Sequence, residues 1–380
     1  MKGDLEVSKR RMLVVIGTRP EAIKLAPVVL ELRARPGCEV LLVSTGQHRE
    51  MLSQALSIFG LTPDLDLDIM TPGQTLHDIT CRTLERMRSL LAEHQPQWTI
   101  VQGDTTTAFA AALASFYAQT PVAHVEAGLR SGERYSPFPE EINRRLVDQL
   151  SQLLFAPTAH ARELLLREGF APDSIHHTGN TVVDALLATR EHLARHPVSL
   201  PDVPLERLQD RRLILVTAHR RESFGGGIEA ICRALLRIVQ DVPDACVVYP
   251  VHLNPNVDGP VRELLGRHER IILSRPLPYL EFTALMERAH LILSDSGGVQ
   301  EEAPTFSKPL LVMREVTERP EGIAAGVARL VGTTERRIHA ECVRLLRDPR
   351  EYEQMAKGIN PYGDGTAARQ IADLLLATPA

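Results

Sequence analysis

Short apolar runs alternate with longer amphipathic segments along nearly the whole chain. One series of strands is predicted at Met12–Ile16, Val40–Ser44, Trp98–Gln102, Val122–Val125, Leu153–Ala156 and Ile175–Thr178. A second series is predicted at Leu213–Thr217, Cys246–Val251, Ile271–Ser274, Leu291–Ser294, Leu310–Met313 and Ala328–Val331. Runs that stay apolar at successive positions belong to strands covered on both faces, so the alternation with helices predicts parallel sheets. Right-handed crossovers then bring the strand-to-helix turns to one edge of each sheet. Between the two series, Pro197, Pro201 and Pro204 break the rhythm from His196 to Arg212, which reads as a boundary loop. The expectation is an α/β chain of two Rossmann-like, doubly wound domains, with a cleft lined by the carboxyl ends of both sheets. A last helix, Thr366–Leu376, follows Pro361 and Gly365; its pattern fits packing on either domain.

At 380 residues the chain exceeds one ordinary core, which supports the two-domain reading. Its 44% hydrophobic and 24% charged residues are those of a soluble globular protein. The net charge of −5 supplies no field that would draw it to nucleic acid or a membrane, so an anionic ligand must be met by local Arg, Lys and His. Cys38, Cys81, Cys232, Cys246 and Cys342 are scattered and form no C-x-x-C pair. Reduced thiols are expected, with neither disulfides nor a zinc site. Met1 to Arg11 lacks the apolar core of a signal peptide, and Ala108–Ala118 is too short to span a bilayer, so a cytoplasmic protein is expected.

The candidate chemistry sits just after strands. Leu291–Ser294 runs into Asp295-Ser296-Gly297-Gly298 and a polar helical segment, where free backbone N–H groups and the helix dipole suit a phosphate. Gly17-Thr18-Arg19-Pro20-Glu21 follows the first strand; Gly17 permits a sharp turn, Pro20 suits the first helical position, and Arg19 and Lys24 add positive charge. Asp104 ends another strand in Gln102-Gly103-Asp104; alone it reads as a helix N-cap. Glu126 stands in His124-Val125-Glu126, whose H-x-E lacks the P-C-x-x-C partner of a zinc deaminase. Glu140, in Pro139-Glu140-Glu141, alone reads as a helix start. Together the three carboxylates suggest general acid/base work. In the second series, His219-Arg220-Arg221 offers phosphate binding or protonation of a leaving group, His252 lies in a turn, and Arg319 is a further phosphate candidate. Asp295-Ser296-Gly297-Gly298 also looks like a serine-protease loop, but the chain is not all-β and has no G-x-S-x-G elbow.

The ordered set of Gly17-Thr18-Arg19-Pro20-Glu21-Ala22-Ile23-Lys24, Gln47-His48-Arg49-Glu50-Met51, Gly103-Asp104-Thr105-Thr106-Thr107, Val125-Glu126-Ala127-Gly128-Leu129-Arg130, Pro139-Glu140-Glu141, His219-Arg220-Arg221-Glu222, Asp295-Ser296-Gly297-Gly298 and Thr317-Glu318-Arg319-Pro320-Glu321 resembles the bacterial non-hydrolysing UDP-N-acetylglucosamine 2-epimerases. The resemblance extends from Met12 to the last helix. It implies a GT-B-like fold with residues 1–178 as the first domain, rejoined by a C-terminal helix at 364–380, and residues 179–363 as the UDP-binding domain. It implies reversible conversion of UDP-GlcNAc to UDP-ManNAc without metal or nicotinamide, by elimination of UDP to a 2-acetamidoglucal and re-addition. A hydrolysing relative, releasing UDP and N-acetylmannosamine, is the alternative.

By the same resemblance Asp104, Glu126 and Glu140 are acid/base groups and His219 lies near the leaving phosphate. Arg19 and Lys24 face the diphosphate and sugar, and Ser296, Gly297 and Gly298 cradle the diphosphate. Glu302 takes the ribose, Phe282 and the backbone near Leu277 hold the uracil, and Arg319 completes the shell. Gln47, His48, Arg220 and His252 match part of a second site where the family binds its substrate as activator. Ile69-Met70-Thr71-Pro72-Gly73-Gln74-Thr75 lacks the Arg that some relatives place there. A homodimer is also implied, with neither nucleic acid nor membrane as partner.

Overall fold

In the computed structural model, residues 10–46, 49–71, 73–220 and 223–379 are described. They divide into two compact units with boundaries at 188/189 and 361/362, the first unit taking the described residues on the outer side of both boundaries and the second those between. Each unit is built on one parallel sheet.

The first sheet holds β1 (Arg10–Ile16), β2 (Cys38–Ser44), β3 (Leu65–Asp66), β4 (Trp98–Gln102), β5 (Val122–Val125), β6 (Leu153–Ala156) and β7 (Ile175–His177), in the order β3-β2-β1-β4-β5-β6-β7. The second holds β8 (Arg212–Thr217), β9 (Ala245–Pro250), β10 (Ile271–Ser274), β11 (Leu291–Ser294), β12 (Leu310–Val312) and β13 (Ala328–Leu330), in the order β10-β9-β8-β11-β12-β13. Strand order therefore reverses between β1 and β4 in one sheet and between β8 and β11 in the other. Such switch points open a crevice at the carboxyl ends of the strands, which is where ligands enter doubly wound folds.

Burial explains why the apolar runs become strands. Leu13 and Val15 face one side of the first sheet and Met12, Val14 and Ile16 the other, and all are buried. Leu13 and Val15 pack with Ile79, Met87 and Leu90 in one cluster; in the second unit Ile214, Val216 and Val247 pack with Ile231 and Leu235. Each such side chain contributes roughly 1.5–3 kcal/mol on burial. The pattern located β4, β5, β6, β10 and β11 at their observed ends, and the other predicted strands within one or two residues. It missed β3, whose two residues are exposed and carry no apolar signal.

The last helix, Ala367–Ala377, belongs to the first unit. Ala368 N–H donates to Asp184 Oδ1 at 2.9 Å, Arg10 reaches the Leu375 and Thr378 carbonyls, and Arg35 pairs with Asp373 at 2.8 Å. The returning chain passes Gly179, at φ 89°, where a Cβ would lie 3.3 Å from the Tyr362 carbonyl oxygen. Only glycine meets both that backbone conformation and that close approach comfortably. Among the described residues, no helix is long and apolar enough to cross a membrane.

Candidate active site

The first unit gathers its chemistry around the β1/β4 switch. Gly17 lacks the left-handed backbone that a sharp glycine turn would show. Its role is close approach: a Cβ there would lie 2.9 Å from both the Thr107 and Thr45 hydroxyl oxygens. The following helix, Arg19–Arg33, starts one residue before Pro20, so that proline takes the second helical position rather than the first. Glu21, buried in this helix, accepts from Gly17 N–H at 2.9 Å, from Thr18 N–H, and from the Thr105 hydroxyl at 2.7 Å. It thus ties the turn after β1 to the turn after β4. Burial raises its pKa, and these hydrogen bonds offset part of that shift. Arg19 is exposed.

Asp104 is not the helix cap that its position alone suggests. Thr105 caps the helix Thr106–Tyr117, accepting from Ala108 N–H at 3.0 Å. The Asp104 carboxylate instead accepts from Arg144, and its carbonyl accepts from the Asn143 side chain at 3.0 Å. Glu126 follows β5 with φ 73°, a strained conformation for a non-glycine residue and one that clusters at functional sites. Its carboxylate, nearly buried, pairs with Lys24 and accepts from the Gln102 amide at 2.8 Å. Lys24 therefore meets an acidic partner within the unit.

Glu140 opens the helix Glu140–Leu150, one turn before Arg144, so both project from one helical face. The two adjacent glutamates differ sharply. Glu141 is fully engaged by Ser131 N–H at 2.9 Å, Arg145 at 3.0 Å and Arg144 at 3.5 Å. Burial favours its neutral form, but the Ser131 bonds and the arginines outweigh this and hold its pKa below the ordinary range. Glu140 carries a buried Oε2 without a hydrogen-bond partner. A buried acceptor left open is costly unless something else meets it. Asp104, Glu126 and Glu140 thus stand on three elements of one sheet edge, two facing cations and one facing none at hydrogen-bond range through Oε2.

The second unit builds a different surface at the β8/β11 switch. Thr217 and Ser294, which end these strands, share a hydrogen bond of 2.6 Å. Asp295, fully buried, accepts from His219 N–H and Arg220 N–H through Oδ2, each at 2.8 Å. Its Oδ1 lies 3.5 Å from His219 Nδ1. His219 is partly exposed and stacks on His252, the ring centres 5.5 Å apart. Ser296 precedes the helix Gly297–Glu302 without spending its hydroxyl on a cap, and the N–H groups of the first helical turn have no intrahelical acceptor. A Cβ at Gly297 would come only within 3.5 Å of Arg220, and one at Gly298 within 3.8 Å of Ser296. Among the described residues, none crowds a Cβ at either position.

Glu302 ends that helix. Arg319 precedes the helix Pro320–Ala324 and donates to Glu301. Arg220 lies 3.6 Å from Glu318, which Arg314 also grips at 2.6 Å. Burial opposes the Glu318 charge, but Arg314 and then Arg220 outweigh it and bring its pKa down to about 2. Leu277 lies between β10 and the helix Tyr279–Arg288, which carries Phe282; both are half-buried. Gln47 and His48 lie outside the described residues, as do Arg221 and Glu222 of the basic turn. The strand-end reading quoted Gln102 and Asp295 without giving them a role and gave none to Asn143 or Arg144, because only folding shows which groups these side chains meet.

A family model described as UDP-N-acetylglucosamine 2-epimerase matches residues 30–376. The UDP-N-acetylglucosamine 2-epimerase of Salmonella typhimurium is 51% identical over 368 residues, covering 96% of this chain and 98% of its own. That of Bacillus subtilis is 48% identical over 370 residues, covering 97% and 96%. The crystal structure of UDP-GlcNAc 2-epimerase from Neisseria meningitidis bound to UDP-GlcNAc aligns with a TM-score of 0.86 at 45% identity, covering 97% of this chain and all of that one. With these matches, the two parallel-sheet units are those of a GT-B-like fold.

Proposed function

Because the chain belongs to the UDP-N-acetylglucosamine 2-epimerase family, we propose that it epimerises UDP-GlcNAc and UDP-ManNAc at C2 without net hydrolysis. The C2–H of the sugar lies beside an acetal and is not acidic enough for simple deprotonation and return. In the proposed route a base takes that proton while the C1–O bond to UDP breaks, its electrons leaving with the phosphate. The C2–H electrons form the C1=C2 bond of 2-acetamidoglucal. A proton is then delivered to the other face of C2, and the UDP oxygen reattacks C1.

The observation that carries this reading is the contrast among Asp104, Glu126 and Glu140, three carboxylates at one sheet edge in three electrostatic settings. A protein that only binds a nucleotide sugar has no use for them, whereas elimination and re-addition needs groups that take and give protons. In the second unit, Ser296, Gly297 and Gly298 would hold the diphosphate, with His219 and Arg319 at the departing phosphate and Glu302 on the ribose. Leu277 and Phe282 would flank the uracil. Arg19 would add charge toward the diphosphate. Arg220 and His252, with Gln47 and His48, remain the proposed effector-site residues.

Proton NMR of the protein with UDP-GlcNAc tests the non-hydrolysing assignment. UDP-ManNAc should persist at equilibrium with UDP-GlcNAc; steady accumulation of free N-acetylmannosamine and UDP would identify a hydrolysing enzyme instead. The homodimer is proposed through the face that exposes Phe116 and Tyr117 beside Leu84 and Ala114. Exposed aromatics grouped in this way mark association surfaces.

A further inference from the structure

His124 lies fully buried in β5, beside β4 and the Gly103 turn. Its Nε2 is 2.8 Å from the Gly103 carbonyl oxygen, and its Nδ1 is 2.7 Å from Asp148 Oδ1. A carbonyl oxygen only accepts, so Nε2 is the donor there. Asp148, also fully buried, turns its other oxygen to Arg130 at 2.7 Å, and Arg130 in turn meets Glu168 at 2.7 Å. A chain of side-chain contacts thus runs inward from Glu168 through Arg130, Asp148 and His124 and ends on the peptide that joins Gly103 to Asp104.

The turn is held on both sides of that peptide. Gly103 has φ 70° and donates its N–H to the Val125 carbonyl at 3.0 Å. The Asp104 carbonyl is held by Asn143 and its carboxylate by Arg144. The Gly103 carbonyl is the acceptor of the Gly103–Asp104 peptide itself, and His124 takes it. A histidine buried for packing alone would need satisfied nitrogens; it would not need one of them on this peptide.

We propose that His124 is a positioning residue for the epimerisation: its Nε2–H fixes the Gly103–Asp104 peptide and thereby aims the Asp104 carboxylate, while Asp148, backed by Arg130, aims the ring. The inference rests on the acid/base reading of Asp104 given above. Catalytic side chains must be held to within roughly 0.5 Å of their productive geometry, and such placement needs a supporting shell of this kind.

Glutamine and asparagine separate the two ring nitrogens. In His124→Gln the amide nitrogen takes the place of Nε2 and keeps the bond to Gly103. In His124→Asn it takes the place of Nδ1 and keeps only the bond to Asp148. Steady-state kinetics should show His124→Asn losing about 10²-fold in kcat, with KM and UDP affinity within about threefold, and His124→Gln staying within about tenfold. Equal losses in both, a larger loss in His124→Gln, or wild-type kcat in His124→Asn would overturn the positioning role. Should His124→Asn not fold, His124→Gln decides alone: kcat within about tenfold supports the role, and any larger loss overturns it. Asp104→Asn, measured alongside, keeps the two claims apart. If it turns over like wild type, the reading of Asp104 fails and the inference falls with it. If it is inactive while His124→Asn is unaffected, only the positioning role fails.

Discussion

At the switch point of the first sheet a buried carboxylate, Glu21, gathers the Gly17 and Thr18 N–H groups and the Thr105 hydroxyl. At that of the second, the buried Asp295 gathers the His219 and Arg220 N–H groups. The staple is the same, and what surrounds it differs. Around the first stand three further carboxylates, with Arg144 and Lys24 pressed against two of them. Around the second stand two glycines, a serine whose hydroxyl makes no cap, an exposed histidine and an arginine half-buried beside Glu318. One edge sets carboxylates among tight side-chain contacts; the other, in the function proposed above, offers backbone N–H groups and basic side chains to an anion. The glycines repeat the lesson, since Gly17 is pressed by the protein itself and Gly297 is not.

This division is most exposed to failure at Asp104. Asp104→Asn keeps shape and removes the proton-transfer group, so turnover should fall by about 10²–10⁴-fold while UDP affinity stays within about threefold. Calorimetric titration of UDP beside a turnover assay checks it, and parallel loss of both would erase the contrast between the two edges. Next in size, Gly297→Ala should weaken UDP binding by about tenfold or more without lowering the melting temperature, because its Cβ meets only the Arg220 guanidinium at 3.5 Å. Unchanged UDP affinity would remove the proposed diphosphate site from that turn.

Gly17→Ala sharpens the comparison from the other side. Its Cβ would fall 2.9 Å from two threonine hydroxyls, so denaturant unfolding should show a loss of about 1–3 kcal/mol. The smallest expected effect concerns Asp184 beneath the returning C-terminal helix. Burial raises its pKa from 3.8 to about 6, against the Ala368 and other backbone hydrogen bonds. Its contribution is therefore complete below 3.8 and is lost as pH rises through about 6. Thermal unfolding of Asp184→Asn should gain on wild type as pH rises from about 4 to about 7; a constant difference would contradict the shift. Glu318 in the second unit runs the opposite way, stabilising above 4.5 and losing that contribution as pH falls toward about 2.

Much of the fold was legible because a strand covered on both faces is apolar at most positions, as β4 shows with Trp98, Ile100 and Val101 buried beside Thr99 and Gln102. β3 was not legible, since two exposed edge residues need no such pattern. For the site, strand ends pointed to Asp104, Glu126 and His219, because parallel topology puts those ends on one edge. The partners were hidden: Lys24 and Glu126 are 102 positions apart, and His219 and Asp295 are 76 apart. Glu140 and Glu141 are indistinguishable as neighbours in sequence. Only packing shows that one is saturated by Ser131 and arginines while the other keeps a buried oxygen open.

The central claim is that the first unit's carboxylates move the C2 proton while the second unit holds the leaving group. Incubating UDP-GlcNAc in D₂O with wild-type protein and with Asp104→Asn, and following C2 by proton NMR, tests it most directly. Wild type should place deuterium at C2 of both UDP-GlcNAc and UDP-ManNAc, and the variant should exchange at least about 10²-fold more slowly while still binding UDP. Wild-type epimerisation without solvent deuterium at C2, or exchange in the variant at the wild-type rate, would contradict the account.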